Sequence, residues 1–416
     1  MKVLVCDDFE AEATKTAADI RTGWKAAELD DADLEVEVLA SERLGQQLTL
    51  LFGNIAEALK KDPGRLEPTE FDERDIVFID NNLAHLNLGG ARHTAETVAG
   101  FIRAFSSVGT VVSLNRNPGV DFDLKHLIGD ATSIADQALN VGHLALPGLW
   151  KRASQGDFRP WYWPELSTVP LRRAKQVEAI KGVLDNDVLS HLGFRETTIA
   201  ALSRAALGAL SGTATISDAA EGTAPVTFRE YFLHSTRSVP AESDRECLVG
   251  DDDVVSRVVA AELEMWLRRY VLGPQEALVD HPHLLSRMGY LLGDEGQKLE
   301  AWNTAVLEVD EPFGVVQPLY DQHLKARRWE PAYWLDVAVY EWAEINADED
   351  LASRFFSAPE WGDFVFCEDT SKFMERPVEG ANAPQEFAVE VDGQWNRRFV
   401  AKLDGRKYAP LSRLAM

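Results

Sequence analysis

The first 150 residues alternate short apolar segments with longer amphipathic ones, and this alternation limits the folds open to the chain. Residues 10–24, 43–61 and 91–106 have the spacing of amphipathic helices, and residues 122–138 fit one helix or two. The apolar, strand-like segments are residues 2–6, 34–39, 75–79, 109–113 and 143–147. Strand and helix repeated in this order predict an α/β fold with a doubly wound, five-stranded parallel sheet.

The rest of the chain has a different character. Ten of the 11 tryptophans lie at or after Trp150, which indicates two units with different cores. Helical spacing follows in residues 175–192, 197–210 and 254–271, and in a segment that Pro331 opens and that carries Trp334, Leu335, Ala338 and Trp342. Residues 387–391 and 398–401 flank Asp392-Gly393 and predict a C-terminal β-hairpin. We therefore predict an α/β domain over 1–150, a helical connecting region over 151–250 and a mainly α-helical domain over 251–416.

Charge and cysteine content exclude several classes of protein. Lys and Arg number 42 against 68 Asp and Glu, so the formal net charge is −26. A chain this acidic repels phosphate backbones, and we expect no nucleic-acid partner. Three cysteines cannot form a disulfide framework and suit a reducing cytoplasm. No apolar run reaches the roughly 18 residues of a membrane helix, and no basic leader precedes the first strand, so we expect neither membrane insertion nor a signal peptide.

Polar residues stand where three of the predicted strands end. Asp7 and Asp8 follow the first strand, Asp80 ends the third, and Ser113 ends the fourth. The carboxyl ends of parallel strands share one edge, so these side chains should meet there. Three neighbouring carboxylates repel one another unless a cation lies among them, and an all-oxygen site suits Mg²⁺. One carboxylate could then attack phosphorus to form an acyl phosphate. The alternative is that each Asp only shapes a turn.

These residues resemble the receiver domain of two-component response regulators over residues 1–148. KVLVCDDF looks like the first strand of the chemotaxis receivers with its acidic pair, and DIVFID looks like the third strand with its phospho-acceptor. The resemblance implies a flavodoxin-like fold, Asp80 as phospho-acceptor and Ser113 as the switch hydroxyl. It also implies Mg²⁺ held by Asp7, Asp8, Asp80 and the backbone carbonyl of Asn82. Gly89-Gly90 falls near the family's loop glycine.

The sequence also departs from the receiver pattern. The interval from Asp8 to Asp80 is longer than in the family, and Ala84 replaces a proline. Leu146 stands where the family has a lysine at the end of the fifth strand. Without that lysine a fixed positive charge facing the phosphate is missing. Lys125, Arg116 and His143 are the candidates to replace it, although none has the required position on a strand.

Three functions follow as hypotheses. The first is a bacterial, cytoplasmic signalling protein that accepts a phosphoryl group on Asp80 from a histidine kinase or histidine phosphotransfer protein, and relays it to a non-DNA-binding C-terminal part. The second is a pseudo-receiver that works as an adaptor without phosphorylation. The third is an enzyme of unknown reaction in 151–416 that the receiver regulates. A dehalogenase-type phosphatase fits less well because Asn82 replaces the second Asp of its Asp-x-Asp motif. A second copy of the chain is a further candidate partner.

Three other segments have a chemical and a structural interpretation. Residues 280–283, DHPH, offer imidazole and carboxylate ligands to a metal, or cap a helix N-terminus. Residues 159–164, RPWYWP, could stack a ligand, or pack the first domain against the second. Cys367 beside Glu368 is a reactive thiol or a buried structural one. In each case the structural interpretation is favoured.

Overall fold

A parallel sheet forms the centre of the N-terminal part. In a computed structural model the described residues are 1–60, 64, 66–86, 93–116, 120–123, 133–153, 156–212, 225–307, 314–330, 332–351, 364–375, 385–386 and 399–409. The first six strands are β1 (Lys2–Asp7), β2 (Glu35–Ala40), β3 (Ile76–Asp80), β4 (Thr110–Asn115), β5 (Phe122–Asp123) and β6 (Gln137–Asn140). Five of them pair in parallel in the order β2-β1-β3-β4-β6, which is compatible with a flavodoxin-like fold. The predicted five-stranded parallel sheet is therefore confirmed.

Local sequence explains these elements. β3 is buried at all five positions, as its continuous apolar run requires of a central parallel strand, whereas β2 alternates apolar with acidic residues at the sheet edge. The helices α1 (Glu10–Ala26), α2 (Ser41–Ala58) and α3 (Ala95–Phe105) lie close to the predicted spans. Thr94 caps α3 by accepting a hydrogen bond from the Thr97 amide.

The prediction of the fifth strand at residues 143–147 is wrong. The strand is β6, while Val141–His143 form a 3-10 turn and Pro147 opens helix α4 (Pro147–Trp150). Proline suits the first turn of a helix because it has no amide hydrogen to donate to a ladder. The prediction of one or two helices over residues 122–138 is wrong at both ends of that range, because β5 and β6 lie there. Residues 124–132 lie outside the described part.

The part after residue 150 is mainly helical, as predicted, and ends in small sheets. Its helices are α5 (Val169–Lys181), α6 (Val188–His191), α7 (Glu196–Ala200), α8 (Arg204–Ser211), α9 (Phe228–Ser235), α10 (Glu242–Leu248), α11 (Asp252–Trp266), α12 (His281–Arg287), α13 (Leu299–Leu307), α14 (Gln317–Leu319) and α15 (Trp342–Asn346). Its strands are β7 (Leu278–Asp280), β8 (Val339–Glu341), β9 (Phe364–Cys367), β10 (Lys372–Glu375), β11 (Gln385–Glu386), β12 (Phe399–Val400) and β13 (Tyr408–Ala409).

Four predictions for this part need correction or completion. The spans 175–192 and 197–210 each contain two helices instead of one. The helix predicted from Pro331 to Trp342 is wrong, because the segment contains a 3-10 turn (Ala332–Trp334) and β8, which pairs antiparallel with β7. Of the predicted C-terminal hairpin, β11 and β12 pair antiparallel, and residues 387–398 lie outside the described part.

One hydrophobic core connects the sheet to the helices. Trp150 is completely buried, and its ring lies 5.9 Å from that of Trp24 on α1 and 6.2 Å from that of Phe78 on β3. α11 packs against both α3 and α5. The boundaries 1–150, 151–250 and 251–416 stay a prediction. None of the described helices is long and apolar enough to cross a membrane.

Replacing Gly23 with Ala tests the packing of α1 on this core. A Cβ at Gly23 would overlap the carbonyl oxygen of Leu144 and the indole nitrogen of Trp150, which donates to that carbonyl at 2.7 Å. We expect urea unfolding to show a loss of about 1–3 kcal/mol from overpacking. The matched control is Gly53→Ala in α2, where a Cβ meets nothing within 4 Å. That change should stabilise the protein by about 0.5–1 kcal/mol. Equal effects at the two positions would contradict the packing.

Candidate functional site

Three carboxylates meet at the carboxyl edge of the parallel sheet. Asp7 is the last residue of β1, Asp8 follows it, and Asp80 is the last residue of β3, the neighbour of β1. One oxygen atom of each lies within 4.8 Å of the others, and all three residues are buried. The pairing of β1 with β3 brings Asp80 to the consecutive residues Asp7 and Asp8, which lie far from it along the chain.

Backbone amides hold each carboxylate in place. The Phe9 amide donates to Asp7 Oδ1 at 2.8 Å, the His85 amide to Asp8 Oδ2 at 3.0 Å, and the Asn82 amide to Asp80 Oδ2 at 3.1 Å. Each of these donors lies in a loop that follows β1 or β3. The loops thus position the carboxylates before any ligand binds.

Arg116 supplies a positive charge to this cluster. It follows β4 directly, and its guanidinium donates from Nε to Asp80 Oδ1 at 2.9 Å and from Nη1 to Glu12 Oε2 at 2.7 Å. Its Nη2 pairs with Asp7 Oδ2. Arg116 was one of the three candidates to replace the missing lysine, and it reaches the cluster from the end of β4 because its side chain is long.

The carboxylates still lack positive charge. Burial raises the pKa of Asp7 despite the nearby Arg116, and burial followed by repulsion from Asp7 raises the pKa of Asp80. Burial alone would lower the pKa of Arg116. The negative charges of Asp7, Asp80 and Glu12 outweigh burial and raise that pKa, so Arg116 stays charged. Raised carboxyl pKa values mean that the ionised cluster is unfavourable, and a further cation would stabilise it.

Ser113 and Asn82 are the other two residues predicted for the site. Ser113 is buried on β4, where it pairs with Ile79, and Leu114 pairs with Asp80. Asn82 is exposed, and its Oδ1 accepts a hydrogen bond from the Ala84 amide at 3.2 Å. The role of Ser113 as switch and of the Asn82 carbonyl as ligand stay predictions. Gly89-Gly90 and Lys125 lie outside the described residues.

Because the fifth strand of the sheet is β6, Leu146 does not stand at the end of that strand. Leu146 precedes α4, and the residue at the end of β6 is Asn140, whose Oδ1 accepts from the Gly142 amide at 2.9 Å. His143 pairs with Asp121 at 3.2 Å, and burial lowers its pKa to about 4. A neutral His143 provides no fixed positive charge at neutral pH.

A pocket of about 530 Å³ opens beside the cluster and gives access to Asp8. Its walls come from the start of α2 and from the loop after β3, including Ser41, Gln46 and His85. Ser41 Oγ donates to the Asp8 carbonyl at 3.2 Å. Of the three clustered carboxylates, the lining includes Asp8 and neither Asp7 nor Asp80.

The three other segments adopt structural roles. Asp280 caps α12 and accepts from His283 Nδ1 at 2.6 Å, while His283 Nε2 lies 3.0 Å from Glu368 Oε1. Burial opposes protonation of His283, but Asp280 and Glu368 outweigh it and raise its pKa to about 9, which is unsuited to a metal ligand. Burial raises the pKa of the Cys367 thiol, which disfavours the thiolate form that a reactive cysteine needs. Arg159 is buried and donates to the carbonyls of Gly148 and Trp163.

Comparison with known proteins assigns no family to the chain. No family model matches it, and neither a curated protein nor a solved structure does. Sheet order and the geometry of the acidic cluster are thus the observations from which a function can be inferred.

Proposed function

We propose that the chain is a two-component signalling protein in which Asp80 accepts a phosphoryl group. The observation that carries this proposal is the cluster of three buried carboxylates within 4.8 Å at the carboxyl edge of a parallel sheet. Such a cluster is unfavourable without a cation, and a site that disfavours its own charge is a candidate for function. Asp80 is the residue assigned the nucleophilic role because it ends the central strand of the sheet beside Asp7.

The reaction needs an ionised and oriented carboxylate. An oxygen of Asp80 attacks the phosphorus of a phosphohistidine, the new O–P bond forms as the P–N bond breaks, and the imidazole nitrogen keeps the electron pair. The Asn82 amide and Arg116 Nε hold the two oxygens of Asp80 and favour the ionised form. Arg116 then faces the incoming phosphoryl group with the positive charge that the receiver lysine would supply.

The cluster fits Mg²⁺ because its donors are all carboxylate oxygens, with the Asn82 carbonyl as the fourth protein ligand in the proposal. When bound, Mg²⁺ would neutralise charge that develops on the phosphoryl oxygens. Asp7 and Asp8 would hold the ion, and its charge would offset the repulsion between Asp7 and Asp80. The ion is therefore the cofactor that we propose.

Contacts between α3 and the helical part support a relay to residues 151–416. On α3, which follows the strand of Asp80, Arg103 Nη1 donates to Ser238 Oγ at 2.6 Å. Arg257 on α11 donates to the Ala104 carbonyl at 3.0 Å. The net charge of −26 argues against DNA as the target of the relay. A cytoplasmic histidine kinase or histidine phosphotransfer protein is the proposed donor.

Incubation with acetyl phosphate and Mg²⁺, followed by intact-protein mass measurement, tests the proposal. We expect one phosphoryl group per chain, lost on chelation of Mg²⁺ and lost in Asp80→Asn. The matched control is Asp75→Asn, directly before the start of the same strand, which should label like the native protein. Absence of labelling in the native protein, or equal labelling of Asp80→Asn, would overturn the acceptor role.

A pseudo-receiver adaptor is the second candidate, and Arg116 is the observation that favours it. Its guanidinium already pairs with Asp7 and Asp80, two of the three proposed metal ligands. An arginine in this place can serve as a permanent substitute for the metal. Calorimetric titration with Mg²⁺ separates the candidates: heat that saturates and disappears in Asp80→Asn favours the phospho-acceptor, whereas no binding at millimolar Mg²⁺ favours the adaptor.

A further inference from the structure

A second pocket, in the helical part, has a lining unlike the rest of this acidic chain. It has a volume of about 450 Å³ and lies between α8, α9, the end of α11 and the π-helical turn that follows (Leu267–Leu272). Three arginines line it: Arg204, Arg237 and Arg269. A volume in this range suits a small organic molecule. In a protein of net charge −26, this concentration of arginine indicates an anionic one.

The acidic residue in the lining, Glu262, keeps its charge, but three arginines line the same pocket, so positive charge is in excess there. Glu262 is occupied: its carboxylate accepts hydrogen bonds from the Ser238 amide at 2.8 Å, from the Arg237 amide at 2.9 Å and from Thr236 Oγ1 at 2.7 Å. These contacts fix Glu262 to the segment after α9. Arg204 is exposed at the first turn of α8 and makes no side-chain hydrogen bond or ion pair with any described residue.

The pocket also contains an unused hydrogen-bond donor. Tyr231 lines the pocket and is only 4 % exposed, yet its hydroxyl makes no hydrogen bond with a described residue. The oxygen is not among the fully buried atoms without a partner, so water in the pocket reaches it, and a ligand can replace that water as its hydrogen-bond partner. Burial raises the pKa of Tyr231 well above its usual range, so the hydroxyl stays a donor at neutral pH.

We propose that this pocket binds an aromatic carboxylate, with the carboxylate held by Arg204 and the Tyr231 hydroxyl. Trp266 and Tyr270 add flat apolar surface to the lining, which suits an aromatic ring. Gly208 also lines the pocket and adds no side chain to it. The pocket shares no lining residue with the acidic cluster, so it can bind its ligand whether or not Asp80 accepts a phosphoryl group.

Calorimetric titration of the full chain with 2-naphthoate tests the proposal, and 2-naphthalenemethanol serves as the uncharged probe of similar shape. We expect naphthoate to bind about tenfold more tightly than the alcohol at constant salt. Arg204→Ala should weaken naphthoate about tenfold and leave the alcohol unchanged, and Tyr231→Phe should weaken naphthoate about fivefold. The control Arg21→Ala removes an exposed arginine on α1 and should change neither affinity.

Other outcomes overturn the site. Equal affinity for the two probes would show that the arginines do not recognise the charge. An absence of naphthoate binding at millimolar concentration would contradict the proposed site. Unchanged naphthoate affinity in both Arg204→Ala and Tyr231→Phe would also contradict it. Tyr231→Phe removes a single oxygen atom, so it tests the site in a folded protein even where Arg204→Ala lowers stability.

Discussion

Glu264→Gln is expected to lower the free energy of unfolding by about 3–5 kcal/mol, because it leaves several buried arginines short of a counter-charge. Glu264 Oε1 accepts from Arg172 at 3.1 Å and from Arg268 at 3.1 Å, and Oε2 accepts from Arg173 at 3.0 Å. All four side chains are buried. The glutamine amide would turn a donor towards guanidinium donors, and one buried charge would be lost. Urea unfolding measures the difference.

The pH dependence of this effect has a definite sign. Burial raises the pKa of Glu264, but Arg172, Arg268 and Arg173 outweigh burial and hold it well below its usual range. A carboxyl with a lowered pKa stabilises the fold above its unfolded pKa of about 4.3, and loses that contribution as the pH falls towards its folded pKa. The gap between native protein and Glu264→Gln should therefore be full at pH 7 and shrink below about pH 4.

An exposed pair provides the matched control for Glu264. Glu295 pairs with Lys298 at 2.8 Å, with side chains that are 62 % and 65 % exposed. Solvent screens such a pair, so Glu295→Gln should leave the unfolding midpoint unchanged. If Glu264→Gln were as harmless as Glu295→Gln, the buried charge network would not be a source of stability.

Arg116→Met is expected to destabilise the metal-free protein by about 2 kcal/mol at neutral pH, since it removes charge-assisted hydrogen bonds to Asp7 and Asp80. Both carboxyls already have raised pKa values, and loss of the guanidinium raises them further. Groups with raised pKa values favour the folded state at low pH and lose that contribution as the pH rises through the folded pKa. The deficit of Arg116→Met should thus vanish in acid, as thermal unfolding across a pH series would show.

Magnesium should compensate for the missing arginine. Without Arg116 the carboxylates of Asp7 and Asp80 have no guanidinium partner, so Mg²⁺ should raise the unfolding temperature of Arg116→Met more than that of the native protein. Arg21→Met, on the surface of α1, is the control that should respond to pH and Mg²⁺ like the native chain. A deficit in Arg116→Met that depends on neither pH nor Mg²⁺ would mean that Arg116 stabilises packing and not the charge of the cluster.

Sequence patterns predicted the sheet where burial is regular and failed where it is not. β1 and β3 are continuous buried runs, and both were predicted to within a residue or two. β6 is a half-buried edge strand of mixed polarity, QALN. The nearby segment HLALP is more apolar, and the sequence pattern therefore predicted the strand there. The spacing of Trp334, Ala338 and Trp342 imitates a helix, but pairing of β8 with β7 overrides it. Such long-range pairing has no local signal.

Part of the candidate site could also be predicted from the sequence, and part could not. Asp7, Asp8 and Asp80 could be brought together from the sequence because strand ends in a parallel sheet share an edge. The contact of Arg116 with Asp7 could not, since the side chain starts after β4 and reaches past β3 to β1. Only the three-dimensional path of a long side chain decides such a contact. The one available signal is that Arg116 follows, within three residues, the end of the strand predicted beside Asp80.

The most direct test of the account is to locate the phosphoryl group. Protein labelled with acetyl phosphate and Mg²⁺ is reduced with borohydride, which converts an aspartyl phosphate into homoserine, and its peptides are sequenced by mass spectrometry. The proposal predicts homoserine at position 80, with Asp7 and Asp8 unchanged and no product in the sample lacking Mg²⁺. Homoserine at another aspartate, or an unmodified Asp80 in labelled protein, would contradict it.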